Sequence, residues 1–235
     1  MAYNDKYGKY CDHTVLRAYT KREVIKQFCD EAIKYKAASV CVNPIHVAYV
    51  KTLLAGTDIK TCVVIGFPLG ANTPAVKAFE TAEAVKDGAD ELDMVMNVGA
   101  LRDGDADLVV KDIQGVVKEA NGRPVKVIIE TCYLTDEEKR LASSLCEKAG
   151  ATYVKTSSGF GTRGATVEDI KLIREVIGNR LKIKASTDIN TREDAVRMIE
   201  AGAVRLGVSR TPQIVEDIAD MPSASTNNKP PKGGV

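Results

Sequence analysis

Gly150-Ala151-Thr152-Tyr153-Val154-Lys155-Thr156-Ser157 decides how the chain folds. A glycine-alanine step enters a short apolar run, and the run closes on a lysine followed by small residues. The same step recurs as Gly88-Ala89-Asp90 before Glu91–Val95 and as Gly202-Ala203-Val204 before Gly207. One strand-plus-helix period after Lys155, a second lysine closes Lys182-Ile183-Lys184-Ala185-Ser186. A glycine that stops a helix just before a β-branched or apolar run is the punctuation of alternating helices and strands.

Outward from these two runs the pattern extends over most of the chain. Strands are predicted at Tyr10–Val15, Ser39–Val42, Thr61–Ile65, Glu91–Val95, Val125–Ile129, Tyr153–Lys155, Lys182–Ala185 and Val204–Gly207. Helical spacing of apolar residues falls between them, at Lys21–Ala37, Thr73–Asp87, Asp105–Ala120, Thr135–Ala149, Thr166–Ile177 and Thr191–Ala201. Several of these open on a capping residue with an early carboxylate: Thr20 before Glu23, Thr135 before Glu138, Thr191 before Asp194. Eight strands alternating with helices predict an α/β fold, a single-domain (β/α)8 TIM barrel over residues 1–220. The alternative is an open doubly wound sheet, but no GxGxxG follows the first strand. Residues 221–235 lack apolar periodicity and are expected to form a mobile tail.

Composition narrows the function. The 235 residues are 44% hydrophobic and 28% charged with a net charge of +1, which points to neither a nucleic-acid nor a membrane partner. No apolar run reaches membrane-spanning length, and Met1-Ala2-Tyr3-Asn4-Asp5-Lys6 is too polar for a signal peptide, so a cytoplasmic location is expected. The six cysteines are scattered without a CxxC pair and read as small buried hydrophobes. With two histidines and no HxH or HExxH, neither a metal nor any other cofactor is expected.

In a barrel of this kind, chemistry sits at the carboxyl ends of the strands. The polar residues there are Asp12, Asn43, Asp93, Asn97, Glu130, Lys155, Lys184 and Ser209. Each taken alone can be a helix cap or a structural pair; together they bring both signs of charge to one mouth. A lysine at the end of a buried strand is unfavourable unless it is paired or reactive. Two on adjacent strands, with ammonium groups ~4–6 Å apart, cannot both stay charged cheaply. A neutral amine attacks a carbonyl to form a Schiff base, and the imine acidifies the neighbouring carbon. That is metal-free aldol chemistry. Asp93 is the carboxylate placed to relay protons.

The motifs carrying these residues resemble the deoxyribose-phosphate aldolase family of class I aldolases. The likeness runs from about Tyr10 to Ile218. It includes Asp12-His13-Thr14-Val15-Leu16, Val40-Cys41-Val42-Asn43-Pro44, Gly66-Phe67-Pro68-Leu69-Gly70, Glu91-Leu92-Asp93-Met94-Val95, Lys155-Thr156-Ser157-Ser158-Gly159-Phe160 and Lys184-Ala185-Ser186. The resemblance implies reversible cleavage of 2-deoxyribose 5-phosphate into acetaldehyde and glyceraldehyde 3-phosphate. By the family pattern Lys155 is the Schiff-base lysine, Lys184 the cation that keeps it neutral, and Asp93 the proton relay. Asp12, Cys41, Thr156, Ser158, Gly159, Thr187, Asp188, Gly207, Ser209 and Arg210 are implied at the substrate. The partner is then a small aldehyde or sugar phosphate. Family members are often dimers, so a homodimer is one expectation.

The chain departs from the family at the phosphate end. Two glycines are usual after the second lysine motif; here they are Thr187 and Asp188. The last strand is followed by Ser209-Arg210 where two serines are usual, and Arg163 stands at a small-residue position. In one reading Arg210 pairs with Asp188, the phosphate site is altered, and the enzyme acts on unphosphorylated or non-native aldehydes, conjugate addition included. In the other, Arg210 and Arg163 replace the glycines as a phosphate clamp. The first is preferred, because clustered changes beside an intact lysine pair look like altered specificity. Two further rivals are a Schiff-base aldolase acting on a keto acid and a non-catalytic sugar-phosphate sensor. A sensor has no need of the paired lysines.

Overall fold

Every predicted apolar run becomes a strand in a computed structural model, which describes residues 5–218. The strands are β1 (Cys11–Thr14), β2 (Ser39–Val42), β3 (Lys60–Ile65), β4 (Glu91–Val95), β5 (Val125–Ile128), β6 (Tyr153–Lys155), β7 (Lys182–Ser186) and β8 (Arg205–Val208). They pair in sequence order, all parallel, and β1 also pairs with β8, so the sheet closes into a barrel. The doubly wound alternative is thereby excluded. Residues 221–235, expected as a tail, lie outside the described residues.

Around the barrel lie α1 (Arg22–Lys34), α2 (Val47–Leu53), α3 (Pro74–Lys86), α4 (Val98–Arg102), α5 (Ala106–Glu119), α6 (Asp136–Lys148), α7 (Val167–Ile177), α8 (Arg192–Glu200) and α9 (Thr211–Glu216). The glycine-alanine steps have a common physical cause. Gly88, Gly150 and Gly202 turn the chain left-handed after α3, α6 and α8, at φ 101°, 83° and 117°. The following alanine then donates its N–H back into the last helical turn: Ala89 to Ala84, Ala151 to Cys146, Ala203 to Met198, each at 3.0 Å. Thr135 and Thr191 form the expected capping boxes with Glu138 and Asp194. Thr20 does not cap: its hydroxyl donates to the Arg17 carbonyl at 2.7 Å, and α1 begins after Lys21 without a side-chain cap. The helices α2, α4 and α9 were not predicted, being too short to display a full apolar period.

Inside the barrel, alternation along the strands decides the chemistry. One face of the strands carries apolar side chains that pack under the helices, among them Cys11, Val40, Leu92, Val127, Ile183 and Leu206. The other face looks into the barrel. Instead of the usual branched hydrophobes it carries a layer of buried charge.

Candidate active site

Seven ionisable side chains from six strands meet in that layer: Asp12 on β1, Glu91 and Asp93 on β4, Lys126 on β5, Lys155 on β6, Lys184 on β7 and Arg205 on β8. Strand register sets the heights: Lys155 pairs with Lys184 across β6 and β7, and Asp93 with Lys126 across β4 and β5. Asp93 is the hub. One carboxylate oxygen accepts from both Lys155 Nζ and Lys184 Nζ, each at 2.7 Å. The other accepts from Lys126 Nζ at 2.8 Å and from the Cys62 thiol at 3.2 Å. Below, Lys184 Nζ lies 2.5 Å from Asp12 and Lys126 Nζ 2.7 Å from Glu91. Arg205 closes the layer against Asp12 and Glu91, at 2.6 and 2.7 Å.

Burial opposes every charge here, and the opposite charges more than offset it. Desolvation would raise the Asp93 pKa, but Lys126, Lys155 and Lys184 hold its carboxyl well below the usual range. Desolvation would lower Lys184 and Lys126, but Asp12 and Asp93 hold both ammonium groups above the ordinary lysine range. Leaving Lys155 aside, three carboxylates face three cations, and the layer is balanced. Lys155 is the fourth basic group, and of the three lysines it alone reaches the open cavity.

That cavity, about 270 Å³, opens at the carboxyl ends of the strands. Of the predicted residues, Lys155, Ser158, Gly159, Thr187, Asp188, Gly207 and Ser209 line it. Asp12 and Cys41, expected at the substrate, lie in the layer beneath, fully buried. Thr156 is also buried; its hydroxyl accepts from the Ser186 N–H at 3.1 Å and ties β6 to β7. Asn97 caps α4 through the Ala100 N–H, and Asn43 donates to the Leu16 carbonyl, so both are structural. Glu130 accepts from both the backbone N–H and the hydroxyl of Ser158, bracing the loop after β6.

The phosphate end differs from the preferred expectation. Asp188 does not pair with Arg210; its carboxylate accepts from the Gly164 N–H at 2.7 Å. Arg210 starts α9, forms no ion pair among the described residues, and does not line the cavity. Arg163 is held by Asp169 at 2.6 Å. Thr187 and Asp188 adopt φ 72° and 61°, the left-handed region that glycine occupies most easily, so the turn keeps a glycine-like path without glycine.

Gly207 shows how closely the site is packed. A methyl group there would lie 2.2 Å from the Ser186 hydroxyl and 3.1 Å from Cε of Lys184. Gly207→Ala is expected to displace Lys184 from Asp93, lowering kcat by about 10- to 100-fold and stability by about 1–3 kcal/mol. Steady-state kinetics and a denaturation curve measure both.

Cys41, Cys62 and Asp93 place two sulfurs and a carboxylate oxygen within 4.8 Å of one another. The Lys126 ammonium already occupies the space beside Cys62 and Asp93, at 3.4 and 2.8 Å. A metal ion would have to displace it, so the group is a poor metal host.

The model of the DeoC/LacD family of aldolases matches residues 8–209. The chain belongs to this family. It is similar to the deoxyribose-phosphate aldolase of Exiguobacterium sibiricum, 58% identical over 199 residues, covering 84% of this chain and 90% of that one. Among solved structures it resembles QR15, an aldolase, with 41% identity and a TM-score of 0.86 over 90% of this chain and 95% of that one. The tetrameric deoxyribose phosphate aldolase of Aeropyrum pernix is 29% identical with a TM-score of 0.85, covering 92% of each chain. The charged layer and the cavity of this DeoC/LacD aldolase thus sit on a barrel shared with its relatives. Sequence reading missed Lys126, Glu91 and Arg205. The signal for Lys126 was present: it is a lysine inside the apolar run Val125–Ile129, the same anomaly that singled out Lys155.

Proposed function

We propose that this aldolase cleaves 2-deoxyribose 5-phosphate reversibly into acetaldehyde and glyceraldehyde 3-phosphate through a Schiff base on Lys155. The observation that carries the reading is the charge balance of the buried layer, which is complete without Lys155 and leaves that amine facing the cavity. Lys155 Nζ attacks the C1 aldehyde, and loss of water gives the iminium. The iminium draws in the electrons of the C2–C3 bond; the C3 hydroxyl loses its proton and C3 leaves as the aldehyde of glyceraldehyde 3-phosphate. The enamine that remains takes a proton at C2, and water releases acetaldehyde. Asp93 is the relay for these protons. Lys184, held charged by Asp12 and Asp93, keeps the neighbouring field positive while Lys155 reacts. Cys41, Cys62 and Val64, with Leu16 and Phe67, form a small apolar cluster, of which Leu16 reaches the cavity.

The altered-specificity alternative loses its premise, since the Arg210–Asp188 pair is not formed. Among the described residues no helix is long and apolar enough to cross a membrane. The free cysteines suit a reducing compartment, and the cytoplasm is the proposed location. A homo-oligomer is proposed by analogy with the tetrameric Aeropyrum relative. Incubation with 2-deoxyribose 5-phosphate is expected to release acetaldehyde and glyceraldehyde 3-phosphate in equal amounts, with or without a chelator. Release of pyruvate from a keto acid, with no cleavage of the pentose phosphate, would refute the substrate assignment.

A further inference from the structure

The mechanism leaves one cationic side chain at the mouth without a role. Arg17 lies in the loop between β1 and α1, is exposed, and lines the cavity beside Thr187, Asp188 and Ser209. It forms no ion pair among the described residues. Its guanidinium carbon sits 5.2 Å from the ring centroid of Phe160, which belongs to the loop after β6. Phe160 is itself held edge-on by Phe67, with ring centroids 5.3 Å apart and planes at 90°.

Three charged residues line the cavity: Arg17, Lys155 and Asp188. Lys155 is committed to the carbonyl, and Asp188 repels anions. Arg17 is the remaining cation, while Arg163 is paired elsewhere and Arg210 does not line the cavity. The contact with Phe160 uses none of the guanidinium N–H donors, which can take two phosphate oxygens at once. Asp188 and Ile189 also line the cavity, and their N–H groups donate to no protein group among the described residues.

We propose that Arg17, held on Phe160, is the side chain that recognises the substrate phosphate. The identity of the substrate rests on the aldolase reading; anion binding at this place does not. Arg17 is a specificity residue that never touches the reacting carbons.

The test uses full-length wild type, Arg17→Gln, Arg17→Lys and Phe160→Leu. Affinity for inorganic phosphate is measured by calorimetric titration, and kcat/KM on 2-deoxyribose 5-phosphate and on 2-deoxyribose. Arg17→Gln is expected to weaken phosphate binding about 10- to 100-fold and to lower the ratio of the two kcat/KM values comparably, through KM. Arg17→Lys should recover part of the loss, having charge without the fork, and Phe160→Leu should fall between. Wild type that binds no phosphate, or Arg17→Gln with unchanged phosphate affinity or an unchanged substrate ratio, overturns the assignment. Protein that cleaves neither sugar but loses phosphate affinity in Arg17→Gln refutes the aldolase reading and leaves Arg17 in place.

Discussion

Lys155→Leu is expected to reduce turnover on the order of 10⁵-fold, to the level set by binding alone, and to leave the fold intact. Leucine removes the nucleophile and the fourth basic group together. What remains is Asp12, Glu91 and Asp93 against Lys126, Lys184 and Arg205, a layer still balanced and still hydrogen-bonded to Asp93 through Lys184 at 2.7 Å. Stability is therefore expected to stay within about 1 kcal/mol of wild type. Kinetics with a coupled assay and a urea denaturation curve check the two halves. Residual turnover above one-hundredth of wild type would place the nucleophile elsewhere.

Asp93→Asn is expected to damage both activity and stability. The carboxylate holds three ammonium groups and one thiol on two oxygens. An amide keeps one acceptor and turns an NH₂ group toward at least one buried ammonium. Removing one partner of a buried ionic network is expected to destabilise by about 3–5 kcal/mol, and loss of the proton relay to lower kcat by about 10²- to 10⁴-fold. The same denaturation and kinetic measurements decide it. A stable, inactive Asp93→Asn would mean that Lys126, Lys155 and Lys184 do not depend on this carboxylate for their place in the core.

The contrast between these two variants rests on features that differ in how far the sequence displays them. The barrel was legible because its signals are local. A glycine at C′ of α3, α6 or α8 and the alternation along each strand are written within a few residues. Lys155, Lys184 and Asp93 were legible because a charge inside an apolar run stands out. The heights of these residues were harder to read, since register across the barrel is a tertiary property. That is why Asp12 and Cys41 were expected at the substrate and lie a layer below it. Asp188 and Arg210 were expected to pair by charge alone, yet the left-handed turn at Thr187 and Asp188 aims the carboxylate at Gly164 instead. Arg17 sits in a loop, where no strand periodicity marks a side chain as facing the site.

Central to this account is which amine carries the carbon. Wild-type protein treated with acetaldehyde and borohydride, digested and mapped by mass spectrometry, is expected to bear one ethyl group, on the peptide containing Lys155. An ethyl group on Lys126 or Lys184 instead, or no adduct at all, would contradict it.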